Sequence, residues 1–434
     1  MVGLLTGAAG AEGAEMQMVV YYQFMTPSDF YLFPVTFSLP RSPTPARQAV
    51  ELLLAEPPFA FLDPPLPSGV RLLRVWIEDG VAYADFSEEI LGANVGSRGE
   101  EVLVGAIVNT LCQFVTVDKV QIMVEGRKVE SIAGHMGVFH PQEPISGLLF
   151  RGYPDAREHW AAGSILALTL RRVLDGYPDG QFRPDGSVTR AEWVKMLVEA
   201  RGLEPEPPDA QQFADLPPDH WASGYVNVAI RARILVPSDY GHCLGPSAGV
   251  SRREAAMLLV RAFGMEERAR QLHGAQLPFS DCASLPAWAR GFIAAALEAD
   301  LIRGYPDGSF RPQRVLTRAE AATLLARALK MGGPDIYVVW PQPGDVLSGS
   351  VRVCGAARVF EGTVSLRLTA DDQVLARGFT TSTEGGPSWG CFAAVLPYPD
   401  EVAGPAVLEC YWPSPVDGSE QGMVRVPVTL KTSR

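Results

Sequence analysis

Apolar positions along this chain change their period twice, and the changes mark its organisation. Through residues 18–142, alternating runs at Val19 to Phe24, Tyr31 to Phe37, Val70 to Ile77 and Val81 to Phe86 read as strands. Thr44-Pro45 opens a helix that reaches Ala55, with proline at the favoured first position. Glu78-Asp79-Gly80 is a hairpin signal, and Glu125-Gly126 joins Lys119 to Glu125 with Arg127 to Glu130 in another. Ser97-Arg98-Gly99-Glu100 has capping-box spacing and starts a helix running to about Phe114. The order β-β-α-β-β-α-β predicts an α+β domain, with helices on one face of a mostly antiparallel sheet.

From Tyr153 to Met331 the period is helical and the text repeats. Trp160, Trp221 and Trp288 each begin an apolar run, and at nearly equal intervals come Thr189-Arg190-Ala191-Glu192, Ser251-Arg252-Arg253-Glu254 and Thr317-Arg318-Ala319-Glu320. A hydroxyl three residues before a glutamate, ahead of an apolar stretch, is again a capping box. The units span 153–203, 213–265 and 279–331 within a segment 150–332, and the tryptophans are expected to pack in its core. Beyond Gly332-Gly333-Pro334 the helical period vanishes. Seven alternating runs over 335–431, from Ile336 to Trp340 through Met423 to Leu430, predict an all-β immunoglobulin-like sandwich.

The three arginines carry the candidate chemistry. Arg190, Arg252 and Arg318 each sit at the positive end of a helix dipole, where a cation is disfavoured by about 0.3–1 kcal/mol. Two readings stay open: an anion held by helix N-terminus and guanidinium together, or a stem packed on the next repeat with its head on a carboxylate. Two units also carry Gly176-Tyr177-Pro178-Asp179-Gly180 and Gly304-Tyr305-Pro306-Asp307-Gly308. Pro-Asp-Gly is turn chemistry, and a calcium loop fails because Gly186 stands where a bidentate glutamate is needed. Tyr177 and Tyr305 either stack on sugar rings or wedge the turn against the repeat. The middle unit lacks the Gly-Tyr-Pro-Asp-Gly loop but keeps Arg252.

Composition narrows the classes. A net charge of −12 over 434 residues leaves no basic stripe for nucleic acid, so none is expected as a partner. The six cysteines, at 112, 243, 282, 354, 391 and 410, form no metal-ligand spacing, and no metal or other cofactor is expected. A pair among Cys354, Cys391 and Cys410 could be bridged in an exported protein. No segment is long enough to span a membrane as a helix, and residues 1–17 read as a leader or partial signal segment. Asp85, Ser87, Glu88 and Glu89 are open to a catalytic reading, with Asp85 and Glu88 in a groove; a strand end running into a solvated acidic turn is the competing one.

The repeats, by their Trp, Gly-Tyr-Pro-Asp-Gly and Thr-Arg-x-Glu elements, resemble the S-layer homology (SLH) family. That resemblance implies a three-repeat, all-α bundle of pseudo-threefold arrangement that binds acidic, typically pyruvylated, secondary cell-wall polysaccharide or peptidoglycan-linked glycan. The residues it points to are Arg190, Arg252, Arg318, Tyr177, Asp179, Gly180, Tyr305, Asp307 and Gly308. Thr44-Pro45-Ala46, Pro67-Ser68-Gly69-Val70 and Asp79-Gly80-Val81-Ala82-Tyr83-Ala84-Asp85-Phe86 resemble the GerMN sporulation and germination domain over 18–142. Pro341-Gln342-Pro343-Gly344, Phe360-Glu361-Gly362 and Trp389-Gly390-Cys391-Phe392 resemble Gmad2, an immunoglobulin-like domain of spore-germination proteins. Together they imply a non-catalytic, wall-anchored protein of the cell wall or spore envelope, engaging glycan and envelope or spore proteins. The alternatives are a self-assembling GerMN scaffold and a wall glycan hydrolase.

Overall fold

The computed structural model describes residues 15–207 and 211–432. Among the described residues, fourteen strands and nine α-helices fall into two compact units, one of residues 1–151 with 340–434 and the other of 152–339. The first and last sequence segments therefore share one unit. The expected leader boundary lies largely outside the described residues, since residue 15 already begins β1.

In the first unit β1 (Glu15–Met25) and β2 (Phe30–Pro40) form an antiparallel hairpin, followed by α1 (Pro45–Leu54). Next come β3 (Leu72–Glu78), β4 (Val81–Phe86), α2 (Ser97–Leu111), β5 (Lys119–Val124) and β6 (Arg127–Lys128). A single mostly antiparallel sheet was the expectation, and the strands instead divide. β3 to β6 make their own four-stranded sheet, with β4 and β5 parallel, whereas β1 and β2 belong to another sheet. The reason is helix α2, whose middle is buried all round: Val102, Leu103, Val104, Ile107 and Val108 need walls on more than one side. A Cβ at Gly105 would meet Leu148 at 2.4 Å and Leu32 at 3.2 Å, so β2 and the 146–148 turn press directly onto this helix.

The 335–431 segment supplies β7 (Ile336–Trp340), β8 (Val346–Ser348), β9 (Ser350–Ala357), β10 (Thr363–Ala370), β11 (Gln373–Thr381), β12 (Gly390–Pro397), β13 (Gly404–Pro413) and β14 (Glu420–Lys431). All seven expected runs are strands, and β8 is an eighth. β11, β10, β13, β14 and β8 form one sheet in that order, and β9 and β12 pair in the other. β12 then continues into β2, in parallel, through Thr36 opposite Ala394 and Phe37 opposite Val395. A buried Thr36–Thr380 hydroxyl contact of 2.8 Å crosses the same seam, and Gly378 lies against Ser38 and Leu396. Sequence alternation cannot announce this pairing, because an edge strand looks alike whichever partner completes it.

The second unit holds α3 (Ala162–Leu170), α4 (Arg190–Ala200), α5 (Ser223–Arg231), α6 (Arg252–Ala262), α7 (Glu266–Gln271), α8 (Ala287–Glu298) and α9 (Arg318–Ala328). Single bridges Thr189–Gly249, Ser251–Val315 and Ser187–Thr317 link the segments before α4, α6 and α9. Among the described residues no helix is long and apolar enough to cross a membrane. Cys112, Cys243, Cys282, Cys391 and Cys410 are free thiols. Cys354 faces Ala393 and Cys391 faces Ala356 across β9 and β12, which sets the two thiols out of register, and Cys410 lies in the other sheet. Burial pushes the Cys410 thiol up to about 12.

Candidate functional site

Each repeat arginine leaves its own repeat and enters the loop of the next. Arg190 donates to both carboxylate oxygens of Glu254 and to the carbonyls of Leu244 and Gly245, with its guanidinium 5.2 Å from the Tyr240 ring centre. Arg252 donates to the Phe310 carbonyl at 3.0 Å and the Arg303 carbonyl at 3.1 Å, over the ring of Tyr305. Arg318 closes the circuit on the first repeat, through the Phe182 carbonyl at 2.9 Å and the Asp175 carbonyl at 2.7 Å, 4.8 Å from the Tyr177 ring centre.

The helix N-termini are occupied as well. Thr189 and Thr317 form complete capping boxes with Glu192 and Glu320. Ser251 accepts from the Glu254 amide, but Glu254 turns away to Arg190 and to the Tyr240 hydroxyl at 2.9 Å. The next two amides donate to carbonyls of the loop that the arginine enters: Arg190 to Ala248, Arg252 to Arg314 and Arg318 to Gly186, then Ala191 to Pro246, Arg253 to Pro312 and Ala319 to Pro184, all within 3.0 Å. An anion resting on helix amides is thus not what these termini offer, because backbone carbonyls already satisfy them. What remains for a ligand is the guanidinium and the groove around it.

Three aspartates that the sequence reading passed over hold the loops open. Asp155 accepts from the Phe182 and Arg183 amides, Asp215 from Leu244 and Gly245, and Asp281 from Phe310 and Arg311, at 2.6 to 2.9 Å. Burial works against the charge on Asp215 and Asp281, yet the paired amides outweigh it and hold both below the ordinary aspartate value. The signal was present: each aspartate stands five to seven residues before its repeat tryptophan.

Asp179 and Asp307 are exposed and serve the turns. Asp179 pairs with Arg183 at 2.6 Å and Asp307 with Arg311 at 2.7 Å, while Gly180 and Gly308 take φ near +80°. At the loop entrance a Cβ on Gly176 would fall 2.3 Å from the Tyr153 ring, and one on Gly304 2.2 Å from Phe279, so only glycine fits. The tryptophans correct the core expectation. Trp160, Trp221 and Trp288 are 65%, 54% and 43% exposed, and the fully buried indole is Trp193 on α4. Trp193 lies one residue past the glutamate of the box and is fully buried, whereas Trp160 and Trp221 stand just before α3 and α5 and Trp288 is the second residue of α8, all three exposed.

A cavity of about 250 Å³ opens at the first repeat's loop. Asp175, Gly176 and Tyr177 form one wall, Glu192 and Lys195 of α4 another, and Trp221 and Arg318 complete it from the second and third repeats. Arg318 is 6% exposed. Among the described residues no carboxylate lies within 4.0 Å of its guanidinium, and Asp175 Oδ1 has no hydrogen-bond partner. The cavity thus combines a buried cation, a lysine, acceptor carboxylates and an exposed indole face.

In the first unit the Ser97 capping box does not form. Gly96 caps α2, and Glu100, fully buried, accepts from the amides of Ile132, Ala133, His135 and Met136 and from the Ser131 hydroxyl. A buried carboxylate gains more from five donors than from one cap. Asp85 accepts from the Gly126 amide at 2.9 Å and so ties two hairpins together, while Glu88 is exposed. Val19 exchanges two hydrogen bonds of 2.7 Å with the Gln113 amide, which seals the outer edge of β1 against further strands.

Comparison with known proteins agrees with this layout. Residues 19–130 match the sporulation and spore germination family, and residues 335–419 match the immunoglobulin-like domain of bacterial spore germination. Residues 152–192 and 278–322 match the S-layer homology domain. The chain carries GerMN, SLH and Gmad2 domains. It is multidomain, of mixed α and β content, with β-sandwich sheets at the C-terminus.

Relatives include a cellulosome-anchoring protein of Acetivibrio thermocellus, 27% identical over 37% of this chain and 36% of its own length. An amylopullulanase of Thermoanaerobacterium thermosulfurigenes is 28% identical over 42% of this chain and 10% of its own. A surface layer protein of Brevibacillus choshinensis is 38% identical over 22% of this chain and 8% of its own. The chain thus spans about a third or less of these relatives. The tandem GerMN domains of the sporulation protein GerM from Bacillus subtilis are 28% identical over 32% of this chain and 47% of that one, with a TM-score of 0.25.

Proposed function

We propose that the chain is a non-catalytic anchor of the bacterial cell surface. Its SLH unit binds an acidic, pyruvylated secondary wall polysaccharide, and its GerMN and Gmad2 domains act in sporulation or spore germination through envelope or spore partners. The SLH matches imply the surface location, and a cellulosome-anchoring relative and a surface layer relative support the anchoring. Domain limits of 18–142, 150–332 and 335–431 follow from the sequence reading, with the three repeats as a pseudo-threefold bundle. The cyclic path of Arg190, Arg252 and Arg318 from each repeat to the next supports that arrangement.

The observation that carries the proposal is the cavity around Arg318. A sugar acid needs a cation for its carboxylate, acceptors for its hydroxyls and an aromatic face for its ring. Arg318 with Lys195, Asp175 with Glu192, and Trp221 offer those groups in one place. Co-sedimentation of the full chain with purified wall sacculi tests the reading. Sedimentation that is lost when secondary polymer is stripped from the sacculi is the expected result. A chain that stays in the supernatant with intact sacculi overturns it.

A further inference from the structure

We infer that the triplet binds wall glycan at one groove only, the Arg318 groove, because the chain fills the other two with its own carboxylates. This rests on the glycan-binding reading above and adds its valence. The three arginines occupy corresponding positions, so their differences are informative. Arg190 is spent on Glu254, which it grips with two donors, and Tyr240 donates to the same carboxylate at 2.9 Å. Arg252 stands 3.5 Å from Glu320, whose Oε1 also takes Arg314 at 2.9 Å and the Tyr305 hydroxyl. In both places an internal glutamate sits where an acidic ligand would meet the guanidinium.

The first groove breaks the rule. Glu192 and Glu320 both turn Oε2 back onto their own caps, Glu192 at 2.7 Å from the Thr189 amide and 2.9 Å from its hydroxyl. The Oε1 that in Glu320 takes arginines and a tyrosine meets, among the described residues, no arginine in Glu192. Arg318 is left with two backbone carbonyls. Two sequence differences account for this. The position three before the cap residue is Arg314 in the third repeat and Gly186 in the first, so no second arginine draws Glu192 outward. The middle loop, which lacks Gly-Tyr-Pro-Asp-Gly, instead brings Tyr240 onto its glutamate. A buried cation without a carboxylate is costly unless a ligand neutralises it, whereas the other two are neutralised at synthesis.

The exposed tryptophans give a test that leaves the buried network intact. Trp221→Ala, Trp288→Ala and Trp160→Ala are compared in the full chain by saturation binding to sacculi bearing secondary polymer, with circular dichroism confirming the fold of each. Trp221→Ala is expected to weaken binding about tenfold, and Trp160→Ala and Trp288→Ala to stay within about twofold of the unaltered chain. Equal losses in all three, no loss in any, or a loss confined to Trp160→Ala or Trp288→Ala overturns the single groove while wall binding stands. Failure of the unaltered chain to bind overturns the glycan reading itself, and the inference with it.

Discussion

The guanidinium of Arg190 and the carboxylate of Glu254 meet as two parallel hydrogen bonds across the boundary between the first and second repeats, with both side chains less than a fifth exposed. The pair joins α4 to α6 and replaces the second half of a capping box. Removing one partner strands a largely buried charge. Glu254→Ala is expected to destabilise the second unit by about 3 kcal/mol, and Arg190→Met with Glu254→Leu by much less. Urea titrations of the single and double variants check this, and equal losses in the two would contradict it.

The loop glycines test the same framework sterically. Gly176→Ala puts a methyl into the Tyr153 ring and Gly304→Ala puts one into Phe279. Each is expected to cost about 1–3 kcal/mol through overpacking. Gly308→Ala meets nothing within 4 Å, and its penalty comes from φ of +77° alone, about 1 kcal/mol. Thermal melts rank the three; a larger loss at Gly308 than at Gly176 would refute the ring-contact account.

Much of this fold was legible. Helix starts at Thr189 and Thr317 follow from side-chain chemistry confined to four residues, and every expected C-terminal strand formed. What the sequence withheld was long-range. Ser97 to Glu100 has the spacing of a cap, but Glu100 is claimed by amides more than thirty residues away. Trp160, Trp221 and Trp288 were assigned to the core because they stand at the start of apolar helical runs, yet their rings are exposed. The arginines were found at once, yet their destinations in the following repeat depend on closure of the circuit, which no local pattern encodes.

Glu100 gives a local prediction. Glu100→Ala removes the acceptor of five donors and is expected to cost at least about 2 kcal/mol. Hydrogen exchange at the amides of Ile132, Ala133, His135 and Met136 should accelerate first. Unchanged exchange there would show that the loop stands without the carboxylate.

Acid should unfold the protein in a defined window. Burial opposes the charge on Glu100, Asp215, Asp281 and Glu320, but amides, Ser131, Tyr305 and arginines outweigh it and hold all four below their ordinary values of 4.5 for glutamate and 3.8 for aspartate. Depressed folded values mean that the stabilisation is complete above about pH 4.5 and is lost as pH falls through the lower folded values. Denaturant midpoints measured between about pH 6 and pH 2 should fall steadily below about 4.5. A midpoint that is flat or rising over that range contradicts the assignment.

The central claim is that an acidic wall glycan sits against Arg318. Hydrogen–deuterium exchange of the full chain, with and without polymer fragments released from sacculi, locates the ligand directly. Protection concentrated in peptides covering 173–186 and 220–226 is the predicted result. Protection of 236–246 or of the first unit, with none at 173–186, would contradict it.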